Sequence, residues 1–203
     1  MIRIGLTGSI GMGKTTAAKL FAEAGIPVND SDAVVHELYA GEAAQLIEAE
    51  FPGTVRNGVV DRQELGRQLS RRPDGFKTLE AIVHPLVRQR ETEFIEREQA
   101  RGSEIILLDI PLLFETGAET RVDIIVVVSC DPQVQRDRVL ARPGMTEEKF
   151  NMIRSRQTPD AEKRERADYV IDTGHAMEIT RARVSEIISD LKARIAKGDF
   201  QNA

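Results

Sequence analysis

GLTGSIGMGKTT, residues 5–16, decides the fold of this chain. Gly8, Gly13, Lys14 and Thr15 match G-x-x-x-x-G-K-[S/T]; they follow an apolar run, IRIGLT at 2–7, and open a segment with helical spacing, TTAAKLFAEAG. A strand that bends through glycines into a helix turns successive backbone N–H groups toward an anion, and the positive end of the helix adds to the attraction. The residues expected to cradle phosphate are Ser9, Ile10, Gly11, Met12, Gly13, Lys14, Thr15 and Thr16. Lys14 would reach the β- and γ-phosphates of a nucleotide such as ATP, and Thr15 would ligate Mg2+. Nothing in the loop says where the phosphate goes.

Outward from the loop, EIILLD (104–109) and VDIIVVVS (122–129) repeat the apolar, non-alternating pattern of the first run, and GIPVND (25–30) and DYVIDT (168–173) are weaker versions of it. Runs without period-2 alternation suit strands covered on both faces, as in a parallel sheet flanked by helices. The pattern predicts an α/β chain with a five-stranded parallel sheet in a three-layer arrangement, spanning 1–203 as one domain. Two connections exceed what a crossover needs. Residues 33–103 read as an inserted helical subdomain, and the charged, proline-bounded segment around 143–167 reads as a mobile lid.

The 203 residues are 41% hydrophobic and 30% charged, ordinary for a soluble globular domain with a full core. A net charge of -5 disfavours long nucleic acid or an anionic membrane as partner, so small molecules are expected, with no obligate protein partner. The single cysteine, Cys130, ends an apolar run and reads as a buried thiol of a cytoplasmic protein. No run approaches the roughly 20 apolar residues of a membrane helix, and the opening residues do not form a signal peptide.

A tetrad for guanine recognition is absent, which leaves a small-molecule kinase ahead of a GTPase, with a nucleotide-sensing binding module as the rival of a different class. Asp30 and Asp32, in NDSDAVVHEL, follow the second strand where doubly wound folds place ligands. Either could accept the proton of an attacking hydroxyl, and either could instead cap the helix expected from Ala33. Asp109 closes the apolar run IILLD, where an acidic residue holds Mg2+ directly or through water. Arg136, Arg138 and Arg142 fall on the helix after the fourth strand, with Arg138 and Arg142 at i and i+4 on one face, facing a transferring phosphoryl group or else pairing with Asp137 and the lid glutamates. His84, before Pro85, stands at an expected helix junction; Tyr39, Phe76 and Phe94 read as packing residues, and His36 and His175 have no neighbours at zinc-ligand spacing.

Taken in order, the GLTGSIGMGKT loop, Asp30-Ser31-Asp32, His84-Pro85, DIPLLFE at 109–115, Gln135-x-x-Arg138-x-x-x-Arg142 and RSRQTPDAEKRERADYVIDTG at 154–174 resemble the dephospho-coenzyme A kinases, a family similar in fold to the nucleoside monophosphate kinases. The resemblance implies phosphorylation of the 3′-hydroxyl of dephospho-CoA by ATP with Mg2+, or, as the alternative, of another small metabolite or nucleoside monophosphate. It implies Asp32 as base, Lys14, Arg138 and Arg142 at the phosphoryl group, Thr15 and Asp109 at the metal, and His84, Asp109, Leu112 and Leu113 along the acceptor site. Ser9 and Met12 depart from the family loop at variable positions. Thr173 stands where many members carry asparagine, which withdraws the expectation of an adenine or ribose contact from that side chain.

Overall fold

In a computed structural model, which describes residues 1–200, the run Ile2–Thr7 forms β1 with five of its six residues buried. The chain then passes through α1 (Lys14–Glu23), β2 (Val28–Asp30), α2 (Ser31–Tyr39), α3 (Glu42–Glu50), the two-residue strands β3 (Val55–Arg56) and β4 (Val59–Val60), α4 (Arg62–Leu69) and α5 (Gly75–Ala100). It returns through β5 (Ile105–Asp109), a 3-10 turn (Ala118–Arg121), β6 (Ile124–Ser129), α6 (Pro132–Leu140), α7 (Glu147–Arg154), α8 (Asp160–Glu165), β7 (Tyr169–Asp172) and α9 (Met177–Lys197). The five long-range strands lie in the order β2-β5-β1-β6-β7. β1 pairs in parallel with β5 (Ile4 opposite Leu107) and with β6 (Ile4 opposite Ile124), and β6 pairs in parallel with β7. All five expected strands are present.

The chain divides into two compact units. The first comprises residues 1–28 and those from 101 onward; its core joins Ile4, Leu6, Leu107, Val126 and Val128 of the central strands to Phe21 of α1 and to Val184, Ile187 and Leu191 of α9. These strands are buried on both sides, the physical reason that their sequences do not alternate. Among the described residues, no helix is long and apolar enough to cross a membrane.

The second unit, Asn29–Ala100, has its own core of Leu38, Ile47, Phe51, Val60, Leu65, Leu69 and Val83. It is not wholly helical: Val55–Val60 is a hairpin closed by Asn57 and Gly58, both at positive φ (53° and 78°), the turn that Asn-Gly favours. His84 does not lie at a helix junction. α5 runs unbroken through it for 26 residues with Pro85 inside, and His84 is exposed. Phe76 is also exposed, 57%, where packing was expected, whereas Phe94 is buried and Tyr39 packs against the unit's core.

Candidate active site

The loop after β1 is held open by its glycines. A Cβ on Gly8 would come within 2.8 Å of the Val128 carbonyl oxygen on β6, while Gly11 (φ +79°) and Gly13 (φ +85°) take the left-handed conformation; Gly13 caps α1. Three backbone N–H groups are spent locally, those of Met12 on Ser9 and of Thr16 and Ala17 on Gly13. The N–H groups of Gly11, Gly13, Lys14 and Thr15 make no hydrogen bond among the described residues, the last two because a helix's first N–H groups have no partner within it. The Lys14 ammonium donates to Asp109 at the end of β5, and both side chains are largely buried.

Ile10 is gripped through both backbone groups: its N–H donates to Gln157 Oε1 (3.0 Å), and its carbonyl accepts from Gln135 Nε2 (2.8 Å). Thr173 Oγ1 donates to the Met12 carbonyl (2.8 Å), and Arg138 donates to the Thr173 hydroxyl (3.1 Å) and carbonyl (2.7 Å). Thr173 is therefore a buried brace under the loop. Met12 also points inward, 2% exposed, its sulfur accepting from the Cys130 N–H at 3.2 Å; with its own N–H given to Ser9, it offers phosphate no donor, against the expectation from the sequence. Cys130 is a buried free thiol, and burial raises its pKa. Beside this loop opens a cavity of 1220 Å3 lined by Ser9, Met12, Asp131, Arg154, Gln157 and Asp172 among others.

Arg142 is not on a helical face with Arg138. α6 ends at Leu140, and Arg142 lies in the turn that follows, its N–H bonded to Val139, because the residue before Pro143 is driven out of helical conformation. Its guanidinium makes no ion pair among the described residues. Arg136 turns to Asp137 and Glu147.

The segment 143–167 is not a uniformly exposed charge run. α7 is its outer part, but Lys163 on α8 is fully buried, 2.9 Å from Glu115, and Ser129 donates to Asp160 (2.7 Å). Burial alone would raise the Glu115 pKa, but Lys163 and the backbone N–H groups of Glu115 and Thr158 outweigh it and hold it below the usual carboxylate range. Asp123, paired with Arg3 at 2.7 Å, is depressed in the same way against its own burial. A depressed carboxylate stabilises the fold fully above its unfolded pKa, about 4 for these groups, and that stability is lost as pH falls through the folded value. Thermal midpoints measured down a pH series should therefore hold steady to about pH 5 and fall below about 4; Lys163→Met with Glu115→Gln should flatten that fall.

In the second unit, Asp30 accepts from the N–H groups of Asp32 (2.9 Å) and Ala33 (3.1 Å), and so caps α2, which begins at Ser31, two residues earlier than expected. Asp32 is exposed, its carboxylate makes no hydrogen bond or ion pair among the described residues, and it lines a groove of 530 Å3 with Val35, Tyr39, Arg62, Leu65 and Leu69. Arg62 lies over the Tyr39 ring (5.4 Å) and contacts His36 Nδ1 (3.0 Å). Arg62 was missed in the sequence because nothing local separates it from the other surface arginines.

A family model described as dephospho-CoA kinase matches residues 2–178. The chain belongs to the dephospho-CoA kinase family. A dephospho-CoA kinase of Rhizobium etli is 72% identical over 203 residues, all of both chains. A crystal structure from Thermus thermophilus superposes with a TM-score of 0.80 at 34% identity, covering 94% of this chain and 97% of that one. A dephospho-CoA kinase structure from Campylobacter jejuni shares the fold, with a TM-score of 0.72 at 23% identity over 98% of both chains.

Within a dephospho-CoA kinase frame, Leu113 is not available as a wall of an acceptor site. It is fully buried, its Cδ1 packed against Gly5, while its neighbour Leu112 is 43% exposed. No group of three or more His, Cys, Asp or Glu side chains that could cage a metal occurs among the described residues. The hydroxyl of Thr15 and the carboxylate of Asp109 are nevertheless hard oxygen donors, and Mg2+ takes one or two such protein oxygens beside nucleotide phosphates rather than a full protein cage, so the residues fit that ion.

Proposed function

We propose a division of labour for transfer of the ATP γ-phosphoryl group to the 3′-hydroxyl of dephospho-CoA, the last step of coenzyme A synthesis, in the cytoplasm. The free N–H groups of Gly11, Gly13, Lys14 and Thr15 hold the ATP phosphates; this reading rests on their lying together on the loop without partners. Adenosine takes the adjoining cavity. Lys14, which donates to Asp109, would turn to the phosphates, and Asp109 and Thr15 would hold Mg2+. The ion would supply neutralisation of the phosphate charge.

Asp32 takes the proton of the 3′-hydroxyl as its oxygen bonds to phosphorus and the bond to the ADP oxygen breaks. The groove with Tyr39 and Arg62 orients the acceptor around that carboxylate, the exposed His84 and Leu112 each contact the acceptor, and Arg142, without an ion-pair partner among the described residues, meets the equatorial oxygens. Arg138 spends two donors on Thr173 and offers the remainder to the nucleotide. Residues 143–156, with α7, close over the nucleotide as a lid and limit hydrolysis by water. Steady-state ADP release should rise with dephospho-CoA and not with AMP, shikimate or gluconate; the absence of any response to dephospho-CoA would refute the assignment.

A further inference from the structure

The Glu115–Lys163 pair does not line the nucleotide cavity, and Gln157, which does, also bonds the donor loop, so the three converge on it. A lysine with 0% exposure carries a heavy desolvation penalty, and an apolar side chain of similar length would fill the same space without it. What the charge does here is hold Glu115 as a carboxylate, and Glu115 Oε1 accepts the Thr158 N–H at 2.7 Å. Fixing Thr158 fixes the preceding residue, Gln157, whose side-chain oxygen bonds Ile10. The opposite backbone group of Ile10 is held by Gln135 from α6, so the residue cannot swivel about either peptide plane. Ile10 directly precedes Gly11, whose N–H makes no hydrogen bond among the described residues, and Gly11 and Gly13 supply no side-chain restraint of their own.

We propose that Gln157 is a positioning residue for the donor loop and that the buried Glu115–Lys163 pair is the strut that sets it. This rests on the donor-site reading above. The strut ties the loop that follows Asp109, the last residue of β5, to Ile10 in the phosphate loop through Thr158 and Gln157. Its contribution is preorganisation: the phosphate-facing N–H groups stand at their binding spacing before ATP arrives.

The test uses full-length protein and ATP alone, by calorimetry, with acceptor kinetics in parallel. Gln157→Ala is expected to weaken ATP binding roughly tenfold and to leave the KM for dephospho-CoA unchanged. Lys163→Met should reproduce that signature from a site remote from the nucleotide, and the Gln157→Ala/Lys163→Met double variant should bind ATP no more weakly than Lys163→Met alone. Multiplying effects, or a Gln157→Ala protein with wild-type ATP affinity, would overturn the strut. Should Lys163→Met not fold, hydrogen exchange at the Ile10 amide of unliganded Gln157→Ala decides the matter: faster exchange supports the proposal, and unchanged exchange removes it. Since that exchange is read without nucleotide, it stands whether or not the wild-type chain binds ATP, whereas a wild type that fails to bind ATP refutes the donor-site reading itself.

Discussion

Asp32→Asn is expected to lower kcat by roughly 10²- to 10⁴-fold while ATP affinity stays within about twofold, the range general-base catalysis contributes. Two observations single out Asp32. Asp30 is occupied as the N-cap of α2, accepting two N–H groups through one oxygen, and the task of a base would compete with that cap. Asp32 has no such engagement and opens into the groove with Tyr39 and Arg62. Asparagine keeps its shape and size, so the groove persists, and the acid lost from the first turn of α2 costs only about 0.3–1 kcal/mol. The companion variant Asp30→Asn preserves a good capping residue and should keep turnover, whereas Asp30→Ala should cost about 1 kcal/mol of stability. If Asp30→Asn stops turnover and Asp32→Asn does not, the assignment reverses.

Gly8→Ala should damage the protein in a different way, through the fold and the donor site together. The new methyl group meets the Val128 side chain and its carbonyl oxygen, 2.8 Å away on β6, a buried strand paired on both edges. Neither backbone can yield without disturbing the sheet. Overpacking of this kind costs about 1–3 kcal/mol, and at about 2–4 °C per kcal/mol for a chain of this size the thermal midpoint should fall by several degrees. The strain also pushes the start of the phosphate loop outward, and a displacement of about 1 Å at a reacting group can cost about 10²-fold in kcat/KM. Differential scanning calorimetry and initial rates at varied ATP check the two effects separately. A Gly8→Ala protein with native melting and native kcat/KM for ATP would show that the loop does not depend on this close approach.

Much of the fold was legible because its signals are local. The apolar runs marked every strand of the main sheet, and the loop glycines announced a bend whose left-handed residues are Gly13, which the motif fixes, and Gly11, at a position it leaves open. The Arg56-Asn57-Gly58-Val59 turn was equally local, and the hairpin it builds was hidden only because strands of two residues carry no periodicity. The end of α6 was also written in Pro143, against the helical spacing that joined Arg138 to Arg142.

The supports of the site were illegible, and for one physical reason. Gln157 meets Ile10 across 147 residues, Thr173 meets Met12 across 161, and Gln135 meets Ile10 across 125. A glutamine or threonine has the same local sequence signature whether it faces water or braces a loop. Lys163 makes the point most sharply, a fully buried charge inside a segment whose composition reads as solvated. By itself the sequence determined that a strand, a glycine loop and a helix would expose N–H groups to phosphate, since that follows from backbone geometry over a dozen residues. Only the tertiary structure decided which of two neighbouring aspartates is free and which side chains hold the loop in place, because both depend on partners brought close by folding.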